Sequence, residues 1–556
     1  MGESPENLSN EQILEHLRAL ESRIARIEAH LEIPQSAPSE IVQPPDAPSV
    51  AVEDDEELEL QVGQNWFAKA GIVGLALGIA FLLTLPYEGL PSFLPSLFGY
   101  VLVGGILFLS RYWKESFEQI SRYLLGGGLL LLYFATLRLS HFTPAPAITN
   151  PAVELPLLLA VVAYNLSIAF KRQSIYLTAS HLALGYLTAL IGGQTIFVLP
   201  VLTLLSVTVV YFTLKFRWNA LLATGIVLTY LTHFIWTANN PFFGNALQFG
   251  ASPQIHLAFI LLYTMIFAGA AVFRSRDIPE NFPVILNTVL SALFGFGLFG
   301  LSTLVAQNLS ISVWHVAASA VFLILSVVFW VREHSVYATF VYAIIGYTAL
   351  SAAIIAQFPQ PDFFVWLCWQ SIIVVSTAVW FRSRFIIVAN FIIYLFVFIA
   401  YLSTAGTVGS VSVSFGLVAL FSARILNWQR DRLELRTELM RNAYLASALL
   451  FLPYALYNSV PPHFVSVSWL VLAAFYYIAG RVLKSRKYRW MALLTTILTI
   501  LYLFIVDLTT VDPVVRIVSF LVVGSALLTI SMIYSRKKQK TGSHPSINKP
   551  GQPTGS

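Results

Sequence analysis

The chain is short of charge. Asp, Glu, Lys and Arg make up 11% of its 556 residues, whereas a soluble chain holds about a quarter. With 57% hydrophobic residues and a mean hydropathy of +0.73, a water-soluble fold has too little interior to hide the apolar surface. Cysteine is almost missing too. A single Cys368 excludes a disulfide within the chain and any cysteine-ligated metal cluster. Its place inside an apolar run suits a small buried hydrophobe. Residues 1–33 lack an apolar core, so no cleavable signal peptide is expected, and the first apolar run would serve as the insertion signal. No nucleotide-binding cassette, nucleophile elbow or loop long enough for a soluble catalytic domain is visible. His-x-x-x-His and His-with-acid spacings on one helix are missing, so no metal or cofactor is expected.

What the chain has instead is apolar runs. Eighteen stretches of about 20 residues lie between Trp66 and Tyr534, from 66–86 and 93–110 through 123–141 to 513–534. Helices of this length cross the ~30 Å hydrocarbon layer and satisfy their own backbone hydrogen bonds there. The runs are continuously apolar rather than alternating, which argues against a membrane β-barrel. The expected fold is an all-α polytopic integral membrane protein with about 18 transmembrane helices over residues 64–535. The connections at 192–196 and 404–408 are short enough that one pair there is a candidate for a re-entrant or broken helix.

Polar segments flank the bundle. Residues 1–33 read as one helix, opened by Ser9 and Gln12 in capping-box spacing. Ile13, Leu17, Leu20, Ile24, Ile27 and Leu31 follow steps of four and three, which predicts a short cytoplasmic coiled coil. Its partner would be a second copy or another helix; an amphipathic helix lying on its own protein is the plainer alternative. Residues 34–63, rich in proline and carrying the acidic run Glu53 to Glu57, read as a disordered linker, and 536–556 as a basic, disordered tail.

Lysine and arginine orient the chain. They gather in alternate gaps: Arg111, Lys114 and Arg122; Lys171 and Arg172; Lys215 and Arg217; and so on to Arg536 and Lys540. The opposite gaps hold essentially only Arg138 and Arg516. The expected location is the bacterial inner membrane, with the lipid bilayer as partner and both termini cytoplasmic. The sequence pI near 9.1 does not imply nucleic acid, because the positive charge is scattered among short turns and forms no patch.

Internal echoes suggest helical hairpins repeated in parallel. Lys215-Phe-Arg-Trp-Asn-Ala-Leu-Leu resembles Lys487-Tyr-Arg-Trp-Met-Ala-Leu-Leu. Ser174, Tyr176, Gly185 and Tyr186 recur at one offset as Ser335, Tyr337, Gly346 and Tyr347, and Phe-Arg-Ser-Arg occurs at 273–276 and 381–384. Basic turns followed by Leu, Ala and Thr also look alike by composition alone.

Intramembrane polar groups are the places for chemistry, since an unpaired charge at the bilayer centre costs ~3 kcal/mol. The candidate functional cluster is Arg138, Glu154, His233, Asp507, Asp512 and Arg516. Arg138 and Glu154 sit at similar depth on neighbouring spans and are expected to pair. Asp512 and Arg516 stand four apart, as a local helical pair would. His233 lies inside a span with Trp236 one turn on; a proton relay and a simple bond to a neighbouring helix's carbonyl are both open, and His181 is read in the same way. His256, His315 and His463 are expected near the interface, satisfied by water. Gly126-Gly127-Gly128 opens its span as a close-packing surface rather than a phosphate loop.

Several pieces, in this order, resemble a known bacterial family, the predicted membrane proteins of domain of unknown function 2339. They are the coiled coil and acidic linker, Gly63-Gln-Asn-Trp66 leading into Gly71-Ile-Val-Gly74-Leu-Ala-Leu-Gly78, and the triple glycine at 126–128. Gly185-Tyr186-Leu187-Thr188 follows, then Asp507-Leu508 with Arg516-Ile-Val-Ser-Phe520. The resemblance implies an inner-membrane location and brings no catalytic residues with it. Three functions are open from the sequence. The first is a transporter or flippase-like protein with a path lined by Gln370, Asn390 and His233. The second is an envelope enzyme acting on lipid or glycan at the outer leaflet through Arg138, Glu154 and His233. The third is a membrane scaffold docking through the coiled coil. Transport leads, and no enzyme activity is favoured.

Overall fold

A computed structural model supplies the fold. It describes residues 93–142, 146–249, 253–274, 280–305, 310–404, 411–428 and 438–507, with isolated positions 22, 78, 91, 521, 524 and 525. The expected coiled coil, linker, first span, last span and tail lie outside the described residues, those isolated positions apart. Among the described residues sixteen helices are long and apolar enough to cross a membrane, the ninth, fifteenth and sixteenth being taken together with the short helical turn that adjoins each. In chain order they are α1 (Leu94–Tyr112), α2 (Glu118–Leu137), α3 (Pro151–Arg172), α4 (Ile175–Gly192), α5 (Thr195–Phe216), α6 (Asn219–Thr237), α7 (Ile255–Val272) and α8 (Phe282–Val305). There follow α9 (Ile311–Val328), α10 (Val336–Gln357), α11 (Asp362–Trp380), α12 (Arg384–Thr404), α13 (Val411–Trp428), α14 (Glu438–Ser459), α15 (Val465–Val482) and α16 (Arg486–Tyr502). Among the described residues there is no strand.

These helices coincide with the sixteen middle apolar runs. A clear departure is at 123–141, where α2 runs Glu118–Leu137. Glu118 at its first turn suits the positive end of the helix dipole, and the helix stops before Arg138. The triple glycine therefore sits at mid-helix instead of opening the span. A Cβ on Gly128 would meet Leu107 and Ile106 of α1 at 3.0 and 3.1 Å, so close packing is its role. At 192–196 two full helices meet instead of a broken one: Gly193, at φ 61, turns the chain and caps α4.

Each span buries only 28% to 61% of its window inside the protein. The remainder, such as Ile196 at 82% and Leu304 at 85% exposure, is apolar without a protein partner, and lipid is the solvent that accepts it. The protein is a multi-pass helical membrane protein.

Contacts divide the chain into two units, Met1–Gly78 with Phe108–Gly127, and Ile79–Leu107 with Gly128–Ser556. In the first, the turn between α1 and α2 is clasped reciprocally, Ser110 donating to Ser121 O at 2.8 Å and Ser121 to Ser110 O at 2.6 Å. The second holds two large cores. One is built from α2 to α10, the other from α10 to α16. Helix α10 serves both, with Tyr342, Ile345 and Ala349 on the face toward the first and Ala343 and Tyr347 on the face toward the second. Steps of three and four put each set on one stripe.

The basic connections share a device that residue types alone do not announce. Gln173, Arg382 and Lys484 adopt left-handed φ of 50, 51 and 49°. The following serine donates its N–H back to a carbonyl five residues earlier: Ser174 to Ala169, Ser383 to Ala378 and Ser485 to Gly480. The left-handed residue itself bonds three back, to Phe170, Val379 and Arg481 respectively. This is a Schellman cap, which satisfies the last carbonyls of one helix. The serine then starts the next: Ser174 accepts from Leu177 N, and Ser383 from Ile386 N, both at 3.4 Å. His334 and Ser335 repeat the pairing of left-handed residue and serine cap, Ser335 accepting from Ala338 N at 3.2 Å.

The Ser174 and Ser335 echo is thus structural as well as sequential. Both serines are helix caps, and a Cβ on either Gly185 or Gly346 would collide with a leucine at 2.8 Å. Tyr186 and Tyr347 each reach a threonine on another helix. The Lys215 and Lys487 echo fares differently. Arg217 is the left-handed cap between α5 and α6, while Arg489 lies inside the first turn of α16, so matched letters have different backbones. The Phe-Arg-Ser-Arg copy at 273–276 runs partly outside the described residues.

Candidate functional site

Tyrosine hydroxyls tie the helices together. Tyr100 bonds Thr136 at 3.0 Å, Tyr133 bonds Thr188 at 2.9 Å, Tyr186 bonds Thr229 at 2.7 Å and Tyr230 bonds Thr264 at 2.9 Å. Tyr347 makes the same bond to Thr377. In every case the threonine donates its only hydrogen to the carbonyl four residues back on its own helix, Leu132, Leu184, Gly225, Ile260 and Ile373 respectively. The tyrosine must therefore be the donor. Such interhelical bonds in a membrane contribute about 0.6 kcal/mol each. They satisfy buried hydroxyls across the helix interfaces.

The second core contains space. A cavity of about 110 Å³ lies between α10, α11 and α12, walled by Tyr347, Ser351, Cys368, Gln370, Ser371 and Asn390 among others. Gln370 and Ser371 fall at the middle of α11 and Tyr347 at the middle of α10, so the cavity sits at mid-span. Its volume approaches that of an engineered cavity of about 150 Å³ that binds benzene, and polar groups are set into a wall that is otherwise apolar, with Ile344, Leu367 and Val374. Gln370 Nε2 donates to Tyr347 O at 2.9 Å, and Ser351 Oγ donates to Gln370 Oε1 at 3.1 Å. Asn390 Nδ2 donates to Ser371 Oγ at 2.7 Å and to Tyr444 OH at 2.9 Å. Both amide hydrogens of Asn390 are so committed, which leaves its amide oxygen as the acceptor for a guest. None of the lining residues is charged. Cys368 is buried, as its apolar setting implied, and its thiol borders the cavity.

The residues singled out from the sequence fall into separate groups. His233 and His256 come together: His233 Nε2 lies 3.2 Å from His256 Nδ1, with exposures of 0% and 5%. His256 is therefore a buried partner and not an interfacial, water-satisfied histidine. His315 is buried as well and bonds Thr303 Oγ1 at 3.1 Å; His463 is exposed. His181 bonds the Leu177 carbonyl of its own helix rather than a neighbour's. Glu154 takes His141, Nδ1 to Oε1 at 3.1 Å. It occupies the first turn of α3 behind the Asn150 cap and Pro151, where the helix dipole favours a carboxylate. Arg138 is 2% exposed and lies in the turn after α2, not one turn inside the span. The Asp507 side chain, Asp512 and Arg516 lie outside the described residues. The His233–His256 pair escaped the sequence reading because 23 residues and a long connection separate the two; the signal available was that each lies near the same end of consecutive helices.

Fold and cavity define a multi-pass α-helical membrane protein with an uncharged, largely apolar pocket at mid-span into which two amides are set. Residues 414–537 match the family model described as Predicted membrane protein (DUF2339), the family that the motifs resembled. Of those motifs, the match contains Asp507-Leu508 and Arg516 to Phe520; the pocket helices α10 to α12 precede it. No curated protein and no solved structure matches the chain.

Proposed function

We propose that the protein is a transporter for small, neutral, hydrogen-bonding solutes, with the mid-span cavity as their resting place. The observation that carries this reading is the pair of amides, Gln370 and Asn390, facing one cavity at the middle of the spans. The few polar groups set in this mostly apolar wall are costly to leave facing empty space unless water or a guest satisfies them. The wall offers donors and acceptors but no countercharge, so an ion would enter unpaired while a neutral amide or polyol would not. The volume suits a few heavy atoms rather than a lipid headgroup, which favours solute passage over lipid flipping. Glu154 and His233 take different partners, which further favours transport over an outer-leaflet enzyme built on both. The reading includes a cytoplasmic-membrane location with both termini in the cytoplasm, supported by lysine and arginine in alternate connections.

The test uses full-length protein in vesicles, with urea, acetamide and glycerol entry followed by stopped-flow light scattering. At least one solute should enter about tenfold faster than into protein-free vesicles, a difference of about 1.4 kcal/mol in barrier. Gln370→Leu and Asn390→Leu should each return entry to background. Cys368, the native reporter in the wall, should be labelled by a small water-soluble thiol reagent and protected by the transported solute. Entry at background for all three solutes, with Cys368 inert, would overturn the reading.

A further inference from the structure

We propose that the basic ends of α13 to α16 form a binding site for the phosphate head group of an anionic phospholipid, whose chains lie along the exposed apolar faces of α15 and α16. The site lies on other helices than the cavity and does not rest on the transport reading. Helix α14 packs against α13, α15 and α16, and α15 packs against α16. Arg441 of α14 donates to the Asn427 amide oxygen of α13, and Lys487 of α16 donates to that of Asn442 on α14. Where α15 ends, a Cβ on Gly480 would meet Arg489 Cγ of α16 at 2.7 Å, so the glycine lets the arginine stem lie across it. These contacts bring four helix ends to one place.

Charge sets this place apart. Arg424, Arg441, Lys484, Arg486, Lys487 and Arg489 gather here, and among the described residues Glu438 is the only Asp or Glu on the four helices. Glu438 stands 3.6 Å from Arg441, and one carboxylate cannot neutralise the rest. Elsewhere a cation near a basic connection takes an acid of its own, Arg122 with Glu118 and Arg274 with Glu333 at 3.2 Å. Orienting a chain across a membrane calls for lysine and arginine in its connections. It does not call for several helices to draw them together, where like charges repel.

The arrangement is costly until an anion joins it. Arg486, Lys487 and Arg489 open α16, where the positive end of the helix dipole disfavours cations. Arg424 and Arg441 both lie within electrostatic reach of Tyr488. The Arg441 side chain is 12% exposed, and its Nε is buried with no hydrogen-bond partner among the described residues. Held behind the surface by Asn427, it adds positive charge that water screens little. The exposed Arg424, Lys484 and Arg486 are placed to meet the phosphate itself, through charge-assisted bonds to its oxygens.

The lipid source follows from what adjoins the cations. Ile478 and Val482 on α15, and Trp490, Leu494 and Ile497 on α16, are exposed large hydrophobics. Trp490 directly follows Arg489, and an indole beside a charge suits head-group depth. A soluble phosphate would use the cations and leave this surface idle, whereas a phospholipid uses both. Basic pockets between helix ends are suited to such head groups.

The experiment is native mass spectrometry of the full-length protein in detergent, titrated with phosphatidylglycerol and, separately, with phosphatidylcholine of the same chains. Phosphatidylglycerol should bind about 25-fold more tightly, since each of two exposed cations contributes about fivefold. Arg424→Gln combined with Arg486→Gln should remove that preference. Lys171→Gln combined with Arg172→Gln, in the connection from α3 to α4, should keep it. Equal binding of the two lipids by the wild type overturns the proposal, and this comparison needs no variant, so it decides even where a substitution unfolds the protein. A preference that survives the Arg424 and Arg486 changes, or that the Lys171 and Arg172 changes remove as fully, also overturns it. Glycerol phosphate, the head group without chains, should not displace the lipid at equal concentration. Binding of glycerol phosphate as tight as that of the lipid would make this a soluble-phosphate site and end the lipid assignment.

Discussion

The two cores solve the same problem in opposite ways. Between α2 and α10, polar side chains meet one another: Tyr186 with Thr229, Tyr230 with Thr264, His233 with His256. Between α10 and α12, the polar side chains of Gln370 and Asn390 meet partners on one side and a cavity on the other. A hydroxyl pair is satisfied across one helix interface, while Gln370 and Asn390 reach their partners and still border open space. The comparison teaches that polarity inside a membrane protein marks a candidate path where polar groups also border open space, as Gln370 and Asn390 do. Helix α10, which faces both cores, is where one regime gives way to the other.

Four substitutions break or sharpen that comparison. Gly185→Leu forces a side chain against Leu205, where even a Cβ would stand at 2.8 Å. Overpacking of this kind costs about 1–3 kcal/mol, to be read as a lowered midpoint in denaturant titration of the detergent-solubilised protein. Gln370→Leu should do the reverse in kind. Ser351 keeps the Tyr347 carbonyl as an alternative acceptor at 3.0 Å, so no buried donor is orphaned. Stability should then stay within about 0.5 kcal/mol, while solute entry falls about tenfold. A large loss of stability in this variant would mean that Gln370 serves packing and hydrogen bonding rather than solute.

Thr229→Val tests the first core directly. Thr229 receives Tyr186 at 2.7 Å and lies 3.2 Å from Ser206 Oγ, so the isosteric change should cost about 1 kcal/mol without changing solute entry. The smallest effect belongs to the turns. Lys484→Gly relieves a left-handed backbone at φ 49 and should stabilise by about 0.5 kcal/mol, with the Gln173 and Arg382 sites responding alike. A destabilisation there would show that the lysine side chain contributes more than its backbone conformation costs.

Much of the helix pattern was legible beforehand because lipid makes hydrophobicity a direct reporter. The apolar run at 175–192 coincides with α4 to the residue, and most of the others come within a few residues of their helices. The end of α2 was misplaced because Arg138, though outside the helix, is as buried as a core residue. The polar groups were less legible. Gln370 and Asn390 stood out as amides in apolar runs, but nothing in the letters says that they face one cavity. His256 was assigned to water because it opens a helix, and only the fold of the connection before it turns it onto His233. The Schellman and serine turns escaped notice because Gln, Arg and Lys are not residues that announce a left-handed backbone.

From its letters alone this chain settled that it lives in lipid, where its helices run, and which of its turns are basic. Each of those follows from the transfer energy of single side chains, summed over a window of one chain segment. The tertiary structure decided which polar groups meet, which stay open to a cavity and which histidine finds another. Those depend on how helices are rotated and spaced against one another, to within the length of one hydrogen bond, and no local property of the sequence encodes that.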